Sequence, residues 1–331
     1  MPFFKLISMN TIFLKRLVLS LTILTLAQTA ALAQWKFNLQ ARAVGDLNAV
    51  YFADSKRGWI AGDSGYLAHT DDGGKTWMRQ NVNSKDAISD IYFRGADKGY
   101  VIAGEKVFSS TDGGETWREE QILLNNEIKE GKPELYSLRF ANKKNGWIVG
   151  SVTKNEAVVG SLVLHSSDGG ALWRRVLVPT SAELIHLDFA DEDTGWIVGA
   201  NGTIYATEDG GETWTAQKSY TTAALYHVDF KNKNLGWAVG EKGLILRTVN
   251  GGATWQKVVS KVARALLSVE FTDENNGWIV GRGGTILRSD DGGLTWIKQE
   301  SRTTDGLFAL HIDKKTGWAV GGKGTILQYE R

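Results

Sequence analysis

Two His-x-Asp pairs, His186-x-Asp188 and His227-x-Asp229, stand 41 residues apart in a chain of 331. Two imidazoles and two carboxylates brought together could hold a metal ion. Glu270 follows Asp229 by another 41 residues. A pair of carboxylates flanking a sugar is the machinery of glycoside hydrolysis, but nothing singles out one pair among Asp188, Asp229 and Glu270. Tyr51 or Tyr92 could act as a nucleophile with Glu270 as its partner. Arg139 and His311 belong to the same set. The plainer reading of all seven is a hydrated channel lined by polar groups. A second set is cationic: Lys242, Arg264, Arg282, Arg302 and Lys323, with Arg247 and Arg288 close by in sequence. These predict a basic arc that recognises acidic or carboxylate-bearing peptide segments, diluted by Glu241 and Asp305.

A repeat must position both sets. Trp59, Trp147, Trp196, Trp237, Trp278 and Trp318 open Trp-x-x-Gly stretches, with Tyr100 standing in once, and Trp77, Trp117, Trp173, Trp214, Trp255 and Trp296 follow Asp-Gly turns. Successive members from Trp173 to Trp296 and from Trp196 to Trp278 lie 41 residues apart. That period holds four short strands and their turns, one propeller blade. Within a unit, Leu225 to Phe230 alternates as an innermost strand a, Trp237 to Gly240 is strand b, Leu244 to Arg247 is strand c, and Thr254 onward is strand d. Phe52, Phe93, Phe140, Phe189, Phe230, Phe271 and Ile312 recur in strand a. One residue earlier come Tyr51, Tyr92, Arg139, Asp188, Asp229, Glu270 and His311, which alternation turns to the opposite side, toward the shaft.

The expected fold is all-β, a seven-bladed β-propeller with four antiparallel strands per blade. The seventh unit ends after strand c, at Tyr329-Glu330-Arg331. Trp35-Lys36-Phe37-Asn38-Leu39 is the candidate for its missing strand, so that the two chain ends close the ring and leave no open edge.

Residues 1–33 do not fit the repeat. Lys15-Arg16 precede an apolar run from Leu17 to Ala27, and Ala31-Leu32-Ala33 is a small-x-small cleavage site. This reads as a secretory signal peptide followed by one domain over 34–331, exported to a periplasm, a lumen-like space or the exterior. Lys5, Lys15 and Arg16 are its charges, so cleavage takes the formal charge from +1 to −2. A near-neutral surface argues against non-specific nucleic-acid binding. Cysteine is absent, which removes disulfides and lipid attachment at cysteine.

The turns run Ser/Thr-x-Asp-x-Gly-x-Thr-Trp and recur at Asp72, Asp112, Asp168, Asp209, Asn250 and Asp291. A side-chain oxygen here can accept backbone N–H groups just ahead and hold a tight turn. Asn250 makes the same turn but could not serve as an acid, and one carboxylate per turn is too few oxygens for a calcium cage. These turns are similar to the Asp-box of sialidases and related propellers, where the resemblance implies a structural role.

The full unit is more specific. Gly236-Trp237-Ala238-Val239-Gly240 leads through Leu244-Ile245-Leu246 to Trp255, and Gly277-Trp278-Ile279-Val280-Gly281 leads through Thr285-Ile286-Leu287 to Trp296. This pattern, over Gln34 to Arg331, resembles the photosystem II assembly and stability factor family of seven-bladed propellers. The resemblance implies a non-enzymatic, lumenal or periplasmic protein that helps assemble a membrane complex by binding a newly made protein subunit; the chain is also expected to be a monomer without cofactor or metal. The alternatives are a sialidase-like glycoside hydrolase or a glycan-binding propeller. Against the former, only Arg139 of the three arginines such an enzyme needs joins the inner ring. Two longer connections, Asn125 to Pro133 and Ser151 to Gly160, lie side by side in the second and third units and are expected to rim a partner-binding face.

Overall fold

The computed structural model describes residues 34–37, 45–95, 97–123, 128 and 130–330. The proposed signal segment, and residues 125–127 and 129 of the Asn125 to Pro133 insertion, lie outside the described residues. The remainder forms seven sheets, antiparallel but for one added strand in blade three. Blade one runs from Leu47 to Gln80, blade two from Ile88 to Glu119, blade three from Gln121 to Val176, and blade four from Leu184 to Ala216. Blade five runs from Leu225 to Val258, blade six from Leu266 to Gln299, and blade seven from Leu307 to Glu330 with Gln34–Phe37 as its outer strand. The innermost strands contact one another in order around the ring, and that of blade seven, Leu307–Ile312, packs on that of blade one, Leu47–Phe52.

One aromatic device joins successive blades. At four junctions the strand-b indole of one blade lies on the strand-a Phe of the next; Tyr100 takes the indole's place on Phe140, Trp147 stacks instead on His165 of its own blade, and blade seven carries Ile312 at the Phe position. Trp196 stacks on Phe230 and Trp237 on Phe271, both with ring centroids 3.4 Å apart. Trp318 of blade seven stacks on Phe52 of blade one at 3.5 Å. The strand-d Trp then meets the same Phe edge-on, as Trp255 meets Phe230 at 89°. Each such ring removes roughly 150–250 Å² from water. This packing, repeated around the circle, is where the core sits. Trp35 in the closing strand is 4% exposed, 5.4 Å from the ring of Tyr329.

Blade three departs from the four-strand plan. Its sheet has five strands, because Gln121–Leu123 leaves the edge of blade two and pairs in parallel with Leu172–Arg174. Its b–c hairpin is also long. Gly146–Lys154 and Ala157–Ser166 pair across a turn at Asn155-Glu156, both at positive φ, where strand b of blade four has only Gly195–Gly199.

The shorter b–c turns carry one left-handed residue, Ser64, Asn201, Lys242 or Lys323, followed by Gly. Gly243 is required there on two counts: φ is +74°, and a Cβ would come within 1.9 Å of the Val262 carbonyl oxygen.

Candidate functional site

Strand direction separates two faces. The b–c and d–a connections lie on one, the a–b and c–d turns on the other. The shaft between them is a cavity of about 510 Å³. Tyr51, Tyr92, Arg139, Asp188, Asp229, Glu270 and His311 all line it. They form its lower tier, because Asp229 pairs with Trp237 and Tyr51 with Trp59, next to the a–b turns.

These side chains reach to the next blade. Asp188 Oδ2 accepts the Phe230 amide at 2.7 Å, Asp229 Oδ2 the Phe271 amide at 3.0 Å, and Glu270 Oε2 the Ile312 amide at 3.1 Å. Tyr51 donates its hydroxyl to the Phe93 carbonyl at 3.0 Å. One oxygen of each acid is thus committed to bracing the ring.

Burial dominates the electrostatics. It lifts Asp188 to about 7, with Asp229 adding to the effect, and lifts Glu270 to about 8; Asp229 is raised too. The same burial depresses His227 to about 3 and His311 to about 4, and holds His186 well below its usual value with help from His227 and Arg139. Tyr51 is pushed up to about 12, again by burial first.

The two His-x-Asp pairs do not assemble into a metal centre. The His186 and His227 rings stack face to face, with centroids 3.6 Å apart, and His186 Nε2 lies 3.1 Å from Arg139 Nη2. Among the described residues no group of three potential ligands converges.

Two partners were not evident from the sequence. Asp90 Oδ2 binds Arg139 Nη1 at 2.8 Å and also accepts the Leu138 amide at 2.8 Å. Lys231 Nζ stands 3.2 Å from Asp229 Oδ1. The available signal for Lys231 was its place two residues after a shaft acid; Asp90 is two residues before Tyr92, on the same side of the strand.

The predicted basic arc divides. Lys242, Arg264, Arg282, Arg302 and Lys323 are exposed on the b–c and d–a connections of blades five to seven. Lys261 joins them, also exposed on a d–a connection and at positive φ. Lys323 Nζ meets Asp305 at 2.9 Å, and Arg302 lies 3.9 Å from Glu300. Arg247 and Arg288 are not part of this face. They pair with Trp237 and Trp278 at the c–d end of strand c. Arg247 Nε donates to the Gly292 carbonyl at 2.7 Å, and Arg288 lies over the Trp278 ring.

The Asp turns close locally. Asp72 Oδ1 accepts the amides of Lys75 and Thr76 at 2.9 Å each, and Oδ2 accepts the Thr76 hydroxyl at 2.6 Å. Asp112, Asp209 and Asp291 repeat the bonds to the Thr amide and hydroxyl. Asp168 accepts the Ala171 and Leu172 amides. Asn250 accepts the Thr254 amide at 3.0 Å and donates to the Thr254 hydroxyl at 3.0 Å.

A ring of seven blades, six of them carrying Asp or Asn turns, joined by aromatic stacking and pierced by a polar shaft, defines a seven-bladed repeat propeller. The model of the photosynthesis system II assembly factor YCF48 family matches residues 77–180, 171–261 and 255–330, and the chain belongs to that family. The chloroplastic photosystem II stability/assembly factor HCF136 of Oryza sativa subsp. japonica is 36% identical over 72 residues, 21% of this chain and 17% of that protein's length. A structure of YCF48 bound to D1 peptide aligns over 90% of this chain and 97% of its own, with TM-score 0.71 and 20% identity. YCF48 from Cyanidioschyzon merolae aligns over 90% and 99%, with TM-score 0.70 and 22% identity. A virginiamycin B lyase from Staphylococcus aureus gives TM-score 0.71 at 13% identity, over 90% of this chain and 99% of its own. At such identities these structures share the fold.

Proposed function

We propose that this protein is an exported, non-catalytic binding factor that holds an acidic segment of a newly made subunit while a membrane complex is assembled. Family membership supports the assembly role, and the likeness to a YCF48 bound to D1 peptide supports a polypeptide as the thing bound. The observation that carries the reading is the cluster of exposed cations on the b–c and d–a face of blades five to seven, the same face from which the long b–c hairpin of blade three projects its exposed Val158 and Val159. Arg264 and Arg282 are the cations best placed to attract and orient a carboxylate-rich segment, since Lys323 and Arg302 already meet Asp305 and Glu300. The shaft acids suit bracing better than hydrolysis, since each holds a backbone amide of the next blade. Among the described residues no helix is long and apolar enough to cross a membrane.

The test is recovery of a membrane subunit from the host's own membranes with the tagged protein, compared with the Arg264→Glu/Arg282→Glu pair. Loss of that subunit with the charge-reversed pair is expected. Equal recovery, or turnover of a glycan by the purified protein that disappears in Tyr51→Phe, would overturn the reading.

A further inference from the structure

In all seven blades the pairing of strand a with strand b slips by one residue at the same place, between Leu47 and Ala49 in blade one and between Leu225 and His227 in blade five. A bulge of this kind re-aims the extra side chain. All seven bulged residues line the cavity, at the end nearest the b–c turns. Five consecutive blades place Tyr136, Ile185, Tyr226, Leu267 and Phe308 there, all partly exposed. The mouth is therefore an apolar and aromatic collar, above a floor that carries acids.

The floor has more acid than base. Asp90 is paired with Arg139 and Asp229 with Lys231. Asp188 has no ion pair among the described residues and Glu270 meets only His311, at 3.9 Å, within ion-pair reach; burial holds both acids toward the protonated form with Lys231 opposing it, so a cation arriving from outside would draw their protons off. His227 Nδ1, in the wall above them, is buried without a hydrogen-bond partner. An apolar stem with a positive head matches this sequence of surfaces, as long basic side chains lie along apolar walls and carry their charge beyond them.

We propose that the shaft is a socket for one lysine or arginine side chain of the docked partner, its stem in the collar and its cationic head between Asp188 and Glu270. The inference deepens the partner-binding reading and rests on it for the identity of the ligand as protein. It also defines the segment. Acidic residues that meet Arg264 and Arg282 on the outer face flank one cation that enters the mouth, next to Tyr226.

The experiment uses small probes, so it does not depend on the surface cations. Nα-acetyl-lysine methylamide, its arginine counterpart and the uncharged norleucine analogue are titrated into the whole protein and followed by NMR and calorimetry. Millimolar binding of a cationic probe is expected, with norleucine at least about tenfold weaker. Asp188→Asn and Glu270→Gln keep an oxygen for the Phe230 and Ile312 amides and should each weaken the cationic probe about tenfold or more. The lysine and arginine arms decide which head group is preferred. If those variants do not fold, Tyr226→Ala and Phe308→Ala at the partly exposed mouth should give a comparable loss. Absence of binding by both cationic probes, equal binding of norleucine, or variants that bind like the parent would overturn the socket. Capture of a partner that fails only in Arg264→Glu/Arg282→Glu would leave the outer-face reading standing without it.

Discussion

Trp318 of the last blade lies flat on Phe52 of the first, with centroids 3.5 Å apart and planes 13° from parallel. These residues are separated by most of the chain, and their contact is the same one that joins Trp196 to Phe230 inside the ring. Closure thus uses the same device as the junctions at Phe93, Phe230 and Phe271.

Trp318→Ala should therefore cost about 3–5 kcal/mol, the range for emptying a large aromatic site in a core. Denaturant unfolding measures it. Trp35→Ala should also destabilise, because Trp35 is buried beside Tyr329 in the closing strand. A loss below about 1 kcal/mol for Trp318→Ala would mean that the ring does not depend on this junction.

The Asp turns should tolerate Asn and not Ala. Asp209→Asn keeps an oxygen for the Thr213 amide and an amide group for its hydroxyl, as Asn250 already does toward Thr254. Asp209→Ala leaves those groups to water and should lower Tm by about 2–4 °C. Equal effects of the two changes would remove the hydrogen-bond account of the turn.

The shaft acids set a pH dependence. Asp188 and Glu270 hold their protons more tightly in the folded chain than in the unfolded one. Their contribution is fully present below the unfolded carboxyl range, about 4, and is lost as pH rises through about 7 and about 8. His227 and His311 act in the other direction: their contribution is present above about 6.5 and is lost as pH falls toward about 4 and about 3. Glu270→Gln removes one carboxyl and leaves the imidazoles. Its stability relative to the parent should rise between about pH 5 and about pH 9. A difference that stays constant across that range would contradict the raised pKa of Glu270.

The two arginine positions should separate binding from folding. Arg282→Glu sits on an exposed b–c turn and should reduce partner binding while leaving Tm within a degree or two. Arg247→Glu breaks the bond to the Gly292 carbonyl at the junction with blade six and should lower Tm. The opposite pattern would place the functional cations on the other face.

The blade count, the closing strand and the residues of the lower shaft were legible because a fixed 41-residue period and a two-residue alternation determine them. The collar was not, because a bulge breaks the alternation and sends Tyr226, Leu267 and Phe308 to a side that strict pleating denies them. The pairings of Asp90 with Arg139 and of Lys231 with Asp229 also escaped. The first joins side chains 49 residues apart on neighbouring blades, and the second depends on how a long side chain folds back. The parallel strand Gln121–Leu123 carries no repeat signal, since it belongs to the one irregular connection.

The most direct measurement places a photo-crosslinking amino acid at Arg282 on the b–c face and, separately, at Leu294 on the c–d face, where the side chain is 61% exposed. The protein is irradiated in its own host, and crosslinked membrane subunits are identified. Crosslinks to one membrane-protein subunit from position 282 and none from 294 are the predicted result. Crosslinks from 294 alone, or none from either position while the wild-type protein still co-purifies with the subunit, would contradict binding through the basic face.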